Sequence, residues 1–261
     1  MRVVQGTGAL DGSIGRVLTV VGVFDGLHRG HDYLLGELRR VAGEHAAQPM
    51  VITFDHHPDE ILEGEAPPLL CDPDERLDRL AGAGVEVTVI ETFDRALRET
   101  PYDAWVRRIA EGVELAGFLM TPESGFGYNR GGTPETVAAL GQALGYDVTV
   151  VPQFTLDGEP VRSSDIRAAI ASGDLATAER LLGRPVSVIG RAAADGERGF
   201  GLVDFDMPVA LPRDGSHLVR AEGGGRTVDG LRAAVQGLSV RIEPSLQLER
   251  GEPVRLTFLA E

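Results

Sequence analysis

The sequence predicts an α/β protein built on a parallel sheet, followed by a small all-β segment, and three observations carry that prediction. Val17 to Phe24 is a valine-rich run of eight residues, too short for a helix of ordinary length, and it reads as a buried parallel-type strand. It stops at a glycine turn and passes into a helical pattern, and strand, glycine-rich turn and helix then alternate along most of the chain. From residue 186 onward, short β-rich runs alternate with Gly, Asp and Pro turns. The expected division is a first domain over 1–185 and a small β domain over 186–261.

The elements follow in order. Residues 1–16 carry four glycines and little periodicity, and are expected to lead into the first strand. After Asp25-Gly26, the apolar positions Leu34, Leu35, Leu38 and Val41 set against Arg39, Arg40 and Glu44 mark a helix. Pro49 to Phe54 is the second strand, which makes a right-handed βαβ unit the default. Residues 59–71, with Pro67-Pro68, read as a loop. Asp72-Pro73 opens a helix as cap and first residue. Val85 to Ile90 is a third strand, Pro101 to about Glu114 a helix with Trp105, Val106 and Ile109 on its apolar face, and Phe118 to Met120 a fourth strand. A helix over Pro134 to Leu144 precedes a strand over Asp147 to Val151. A last helical pattern follows (Ala168, Ile170, Leu175, Ala178, Leu181), with Ser163 or Ser164 as its cap. The runs 186–190, 202–209, 217–221, 238–242 and 253–259 suggest a small antiparallel barrel or sandwich.

Composition narrows the chemistry. With 43% hydrophobic residues, 261 residues can bury an ordinary core, and no apolar run approaches the ~18 residues of a membrane span. No export signal is evident, and the single Cys71 excludes an internal disulfide, so a cytoplasmic protein is expected. A net charge of −15 argues against nucleic acid as partner, because that binding depends on many cations releasing counterions. The chain contains no lysine, which removes the P-loop lysine and any Schiff base. An anionic ligand must be met by backbone amides, histidine and arginine. Oligomeric state leaves no trace in the sequence.

Two turns fit that requirement. Gly22, Val23, Phe24, Asp25, Gly26, His28, Gly30 and His31 lie where the first strand hands over to a helix, whose first amides and partial positive charge favour an anion by roughly 0.3–1 kcal/mol per contact. His28 and His31, three apart, suit a shared phosphate; read as structure alone, they are two solvated histidines in a tight turn. Arg162, Ser163, Ser164 and Arg167 repeat the combination at another helix start.

The run Gly22-Val23-Phe24-Asp25-Gly26-Leu27-His28-Arg29-Gly30-His31 resembles the HxGH nucleotidylyltransferase superfamily. It is specifically similar to the G-x-F-D-G-x-H-x-G-H form of the bacterial FAD synthetases, which join FMN adenylyltransferase to riboflavin kinase. Further segments fall in the same order. Thr53-Phe54-Asp55-His56-His57-Pro58 resembles T-F-x-P-H-P, with His56 in place of a proline. Residues 121–132 resemble G-x-[DN]-F-x-F-G-x-x-R-x-G, with Phe126, Gly127, Arg130 and Gly132 in agreement, Glu123 where Asp or Asn is usual and Ser124 in place of an aromatic. Val161 to Arg167 resembles V-S-S-T-x-I-R, and Leu181-Leu182-Gly183-Arg184-Pro185 the exit from that domain. The resemblance implies a Rossmann-like nucleotidylyltransferase domain over the first 185 residues. In the β segment the family's G-x-P-T-A-N motif is missing, with Leu202 to Asp206 near its place, so kinase activity is expected to be lost.

What the resemblance implies is adenylyl transfer from ATP to FMN, giving FAD and pyrophosphate, with magnesium accompanying ATP and no dedicated protein metal site. His28, His31 and Arg167 would be catalytic. Gly22, Val23, Phe24, Asp25, Gly26, Gly30, Arg162, Ser163 and Ser164 would bind nucleotide, and Thr53, Asp55, His57, Pro58, Glu123, Phe126 and Arg130 the flavin substrate. Two other readings remain: a cytidylyltransferase-like enzyme of the same fold acting on another phosphorylated substrate, and a non-catalytic flavin or nucleotide sensor. The first expects R-T-x-G-I-S-T-T, which Val161 to Arg167 does not match.

Overall fold

The computed structural model describes residues 1–194, 201–243 and 248–259. They form two compact units. One comprises Met1–Phe24, Gly30–Pro67 and Arg76–Pro160, the other Asp25–Arg29, Pro68–Glu75 and Val161–Glu261.

The first unit is organised on a six-stranded sheet in which every neighbouring pair is parallel. Its strands are β1 (Arg2–Gln5), β2 (Arg16–Val21), β3 (Gln48–Phe54), β4 (Val87–Glu91), β5 (Glu114–Met120) and β6 (Asp147–Val150), in the order β1-β4-β3-β2-β5-β6. The helices that alternate with them along the chain are α1 (Arg29–Glu44), α2 (Pro58–Leu62), α3 (Pro73–Gly82), α4 (Arg95–Glu99), α5 (Tyr102–Gly112) and α6 (Pro134–Leu144). β3 is buried on both faces, as parallel strands are, and its Met50 and Ile52 join Val89, Ile109, Phe118 and Val137 in a fully enclosed core. Each such side chain contributes roughly 1.5–3 kcal/mol by leaving water. α6 forms where its punctuation directs: Thr133 and Thr136 exchange capping bonds, Pro134 takes the first position and Gly145 closes the end with φ 80°.

Several elements depart from the sequence expectation, each for a local reason. The first strand ends at Val21 rather than Phe24, because Phe24 (φ 52°), Gly26 (φ 80°) and Leu27 (φ 39°) all adopt left-handed backbone. The N-terminal segment contains the edge strand β1, whose RVVQ sequence is too short to show alternation. The expected loop over 59–71 begins instead as a short helix, α2, over Pro58–Leu62, because Pro58 takes its first position and His57 caps it, with Nδ1 accepting the Asp59 amide at 3.2 Å. After β6 a two-stranded hairpin, β7 (Thr155–Leu156) and β8 (Glu159–Pro160), turns on Asp157-Gly158.

In the second unit, the expected single helical pattern is two helices, α7 (Ser163–Ser172) and α8 (Leu175–Leu182), separated by Gly173 at φ 85°. Neither serine caps α7. Arg162 occupies the cap position and its side chain makes no capping bond to the helix, while Ser163 Oγ donates to the Asp25 carbonyl at 3.3 Å. The β segment is a closed antiparallel barrel of β9 (Ser187–Ala194), β10 (Gly201–Asp204), β11 (Gly215–Gly223), β12 (Arg226–Gln236), β13 (Ser239–Glu243) and β14 (Pro253–Phe258), in the order β10-β13-β12-β11-β14-β9. The expected turns over 195–200 and 244–247 lie outside the described residues. β12 has no counterpart among the expected runs, since its buried Leu231, Ala233 and Val235 alternate with the exposed Arg232, Ala234 and Gln236 and its first half is exposed. Val203, Val219, Ala233, Val240, Leu256 and Phe258, each at most 1% exposed, pack the barrel interior.

Gly117 in β5 faces the backbone of β6 so closely that a Cβ there would lie 2.5 Å from the Asp147 carbonyl oxygen. Gly117→Ala is therefore expected to lower stability by about 1–3 kcal/mol. The check is the midpoint of chemical denaturation; an unchanged midpoint would show that β6 yields freely.

Candidate active site

In the parallel sheet, β2, β3 and β4 succeed one another in one direction and β5 and β6 in the other, so the topology switches between β2 and β5. Open α/β sheets bind ligands outside the carboxyl ends of strands at that point. A cavity of about 670 Å³ lies there, lined by Val21, Gly22 and Val23 at and beyond the end of β2, Phe54 and His57 at and beyond the end of β3, and Phe118 to Met120 at the end of β5. Its walls are aromatic. Phe126 stacks on Phe118 with ring centroids 5.8 Å apart and meets Trp105 edge-on at 5.3 Å, while Phe54 and Phe93 meet edge-on at 5.4 Å. Trp105, read from its helical spacing as core, is both 3% exposed and part of this lining.

The other candidate substrate residues divide by what their side chains do. His57, Pro58, Glu123, Phe126 and Arg130 line the cavity. Arg130 Nη2 donates to the Glu123 carbonyl at 2.7 Å, and the Phe126–Gly132 backbone bridge closes the loop that carries them. Thr53 and Asp55 are not among the lining residues and serve the strand ends instead. Thr53 Oγ1 donates to the Val23 carbonyl at 2.9 Å, and Asp55 accepts from Thr92 Oγ1 at 2.8 Å and the Phe93 amide at 3.3 Å. Arg76 ties the same turns together, donating to the carbonyls of Val23 and Phe54 at 3.3 and 2.9 Å. His31 lies in the first turn of α1 beside Gly30, its ring centroid 5.1 Å from that of Phe24.

The second unit holds the polar cluster. Asp25, 3% exposed, accepts from the Leu70 amide at 3.0 and 3.1 Å and from Arg167 Nη2 at 2.6 Å. Arg167 Nε donates to the Pro68 carbonyl at 2.8 Å. Gly26, with φ +80°, is packed so tightly on this arrangement that a Cβ would lie 2.8 Å from Leu70 Cβ. His28, 5% exposed, immediately precedes α1. Burial, then the charges of Arg184 and Arg167, push its pKa down to about 4, so the imidazole is neutral at pH 7. Arg184 Nη1 donates to the Leu27 carbonyl at 3.4 Å, closing the turn from its other end. Arg162 and Ser164 are exposed at the start of α7. This unit therefore joins Asp25, Gly26, His28, Ser163 and Arg167, while Gly22, Val23, Phe24, Gly30 and His31 belong to the first.

The family model for FAD synthetase matches residues 13–165. The chain belongs to the FAD synthetase family. It is 31% identical over 175 residues to the bifunctional riboflavin kinase/FMN adenylyltransferase of Pseudomonas fluorescens, an alignment covering 67% of this chain and 56% of that protein. To the protein of the same name from Escherichia coli K12 it is 30% identical over 245 residues, covering 89% and 78%. The chain thus spans little more than half the length of the Pseudomonas relative. The fold matches the crystal structure titled macrolide-efflux protein from Streptococcus pneumoniae with a TM-score of 0.81 at 22% identity, over 100% of this chain and 89% of that one.

Within this FAD synthetase family member, Arg184 and Leu70 join the polar cluster of the second unit, and Arg76 ties the turns of the first, without having been singled out from sequence. Arg184 sits in the quoted L-L-G-R-P stretch, which offers a signal; Leu70 acts through its backbone amide and offers none. Because His28 is less basic in the fold than the usual ~6.5, the unfolded chain binds its proton more readily. The stability this represents is intact above pH ~6.5 and is lost as pH falls toward 4, by up to roughly 3 kcal/mol. Melting temperature measured from pH 7 to 4 should fall less steeply in His28→Asn than in the parent chain. Parallel curves for the two would show that His28 carries none of the acid sensitivity.

Proposed function

We propose that this FAD synthetase family member is an FMN adenylyltransferase. An FMN phosphate oxygen attacks the α-phosphorus of ATP, the bond from that phosphorus to the bridging oxygen of the β-phosphate breaks, and pyrophosphate leaves with the electron pair. Such a transfer needs no protein nucleophile. It requires in-line positioning and groups that meet the charge growing on phosphoryl oxygens.

The observation that carries this reading is the buried, neutral His28 in the field of Arg184 and Arg167, beside the start of α1. A neutral imidazole offers one N–H to a phosphate oxygen while the arginines supply fixed charge, which suits a polyanion in a lysine-free chain of net charge −15. His31 and the amides of the first turn of α1, together with Gly22 to Gly26, are proposed to meet phosphate. Arg162, Ser163, Ser164 and Arg167 take the pyrophosphate portion. The aromatic cavity falls within the ~300–1,000 Å³ usual for small-molecule sites and its flat walls suit a flavin ring, with His57, Pro58, Glu123, Phe126 and Arg130 at its border. Magnesium enters this proposal as part of the MgATP substrate.

The barrel supports no kinase step in this proposal. Its interior is filled by apolar side chains, and Leu202 to Asp206 stand where the relevant motif would be. Incubation with FMN, ATP and magnesium is expected to yield FAD and pyrophosphate, read by loss of flavin fluorescence and by pyrophosphate release. Riboflavin in place of FMN yields neither. His31→Ala is expected to lower the rate by about 10²–10³, the usual cost of one phosphoryl-stabilising donor. Flavin and ATP binding without pyrophosphate release would convert the reading to that of a sensor.

A further inference from the structure

We propose that the C-terminal barrel acts as a positioning module for Arg167, through a strap of three residues, Pro68-Leu69-Leu70. The inference rests on the reading of Arg167 as a phosphate-binding group and adds to it what holds that group in place. Pro67 and Pro68 keep the strap extended, and in an extended segment successive backbone groups point to opposite edges. The two edges are bonded to different things. On one side the Leu69 amide donates to the Pro208 carbonyl at 2.8 Å, and the Ala210 amide donates to the Leu69 carbonyl at 2.9 Å, forming a parallel bridge to the loop between β10 and β11. On the other, the Pro68 carbonyl accepts from Arg167 Nε at 2.8 Å and the Leu70 amide donates to the Asp25 carboxylate.

Asp25 and Arg167 close the circuit with their 2.6 Å ion pair, their side chains 4% and 16% exposed. The guanidinium is thereby bonded through Nε and Nη2 and held in a fixed orientation. A second anchor lies beyond the strap, where Glu75, 7% exposed at its side chain, pairs with Arg255 of β14 at 2.8 Å. The barrel thus grips the strap at Leu69, between the Pro68 carbonyl and the Leu70 amide, and the following helix start at Glu75. Leu69, Leu70, Pro208 and Ala210 are positioning residues; none carries a group suited to phosphate.

The test is a double-mutant cycle read by ATP affinity. Ala210→Pro removes one of the two bridge hydrogen bonds and is expected to weaken ATP binding by roughly three- to tenfold, the worth of one or two hydrogen bonds. Arg167→Ala weakens it further. If the barrel acts through Arg167, the double variant binds no worse than Arg167→Ala alone; additive losses, or parental affinity in Ala210→Pro, overturn the proposal. Arg255→Met cuts the second anchor, should Ala210→Pro fail to fold, and is expected to raise the ATP KM with little change in kcat. Arg255→Lys restores it, whereas a fall in kcat alone for Arg255→Met is the mark of a misfolded fraction and counts against positioning. Hydrogen exchange at the Leu70 amide, faster in Ala210→Pro and unchanged in the α7 amides, reports the tie independently of nucleotide. A chain that makes no FAD but passes the exchange and ATP-binding tests refutes the adenylyltransferase reading and keeps this one.

Discussion

A carboxylate withdrawn from water must find donors for its oxygens, and Asp25 is the group on which the polar site of this chain depends. At 3% exposure its carboxylate accepts three contacts from two groups, two from the Leu70 amide and one from the Arg167 guanidinium, which lie 45 and 142 residues away in sequence. Leaving either partner alone in the interior costs about 3–5 kcal/mol, so the pair is made or lost as a unit. The dependence runs in both directions: Asp25 fixes Arg167, and Arg167 with Leu70 is what permits a charged residue in the turn that presents His28.

In that turn the backbone also departs from repetitive structure. Phe24, Gly26 and Leu27 all have positive φ, and two of them carry side chains that disfavour it by roughly 1–3 kcal/mol each. Such strain persists only where surrounding contacts over-determine it. Phe24 is 1% exposed and Leu27 3%, and the Leu27 carbonyl accepts from Arg184. The same short stretch therefore combines strained backbone, a buried ion pair and a histidine held neutral. Each is unfavourable in isolation, and their coincidence here is consistent with the phosphate-binding role proposed for this segment.

The fold was largely legible wherever information is local. A valine-rich run marks β2 and a short apolar run β3, Asp72-Pro73 marks the start of α3, and Thr133-Pro134 with Gly145 brackets α6. What was not legible depends on partners remote in sequence. β12 alternates but is half exposed and rich in charge, and only β11 and β13 make it a strand. The serine expected to cap α7 instead serves the carbonyl of Asp25, 138 residues earlier. The same limit applies at the site. His28, His31 and Arg167 stand in recognisable motifs, whereas Leu70 contributes a main-chain N–H that any residue but proline would supply, so no side-chain pattern can reveal it.

The exclusive use of arginine follows from the same geometry. Arg167 engages a carboxylate through Nη2 and a carbonyl through Nε, and its planar fork keeps further donors at fixed angles. A lysine ammonium is a compact point charge on a flexible stem; bonded to Asp25 it would be neutralised with no directed donor left for a phosphate. Arg76 and Arg255 repeat the device, each bridging two acceptors at once, the first two carbonyls and the second a carboxylate and a hydroxyl. In a protein whose net charge of −15 repels polyanions at long range, attraction must come from such short-range, pre-aligned donors. A side chain that fastens the fold and presents charge at the same time meets that need without raising the number of cations.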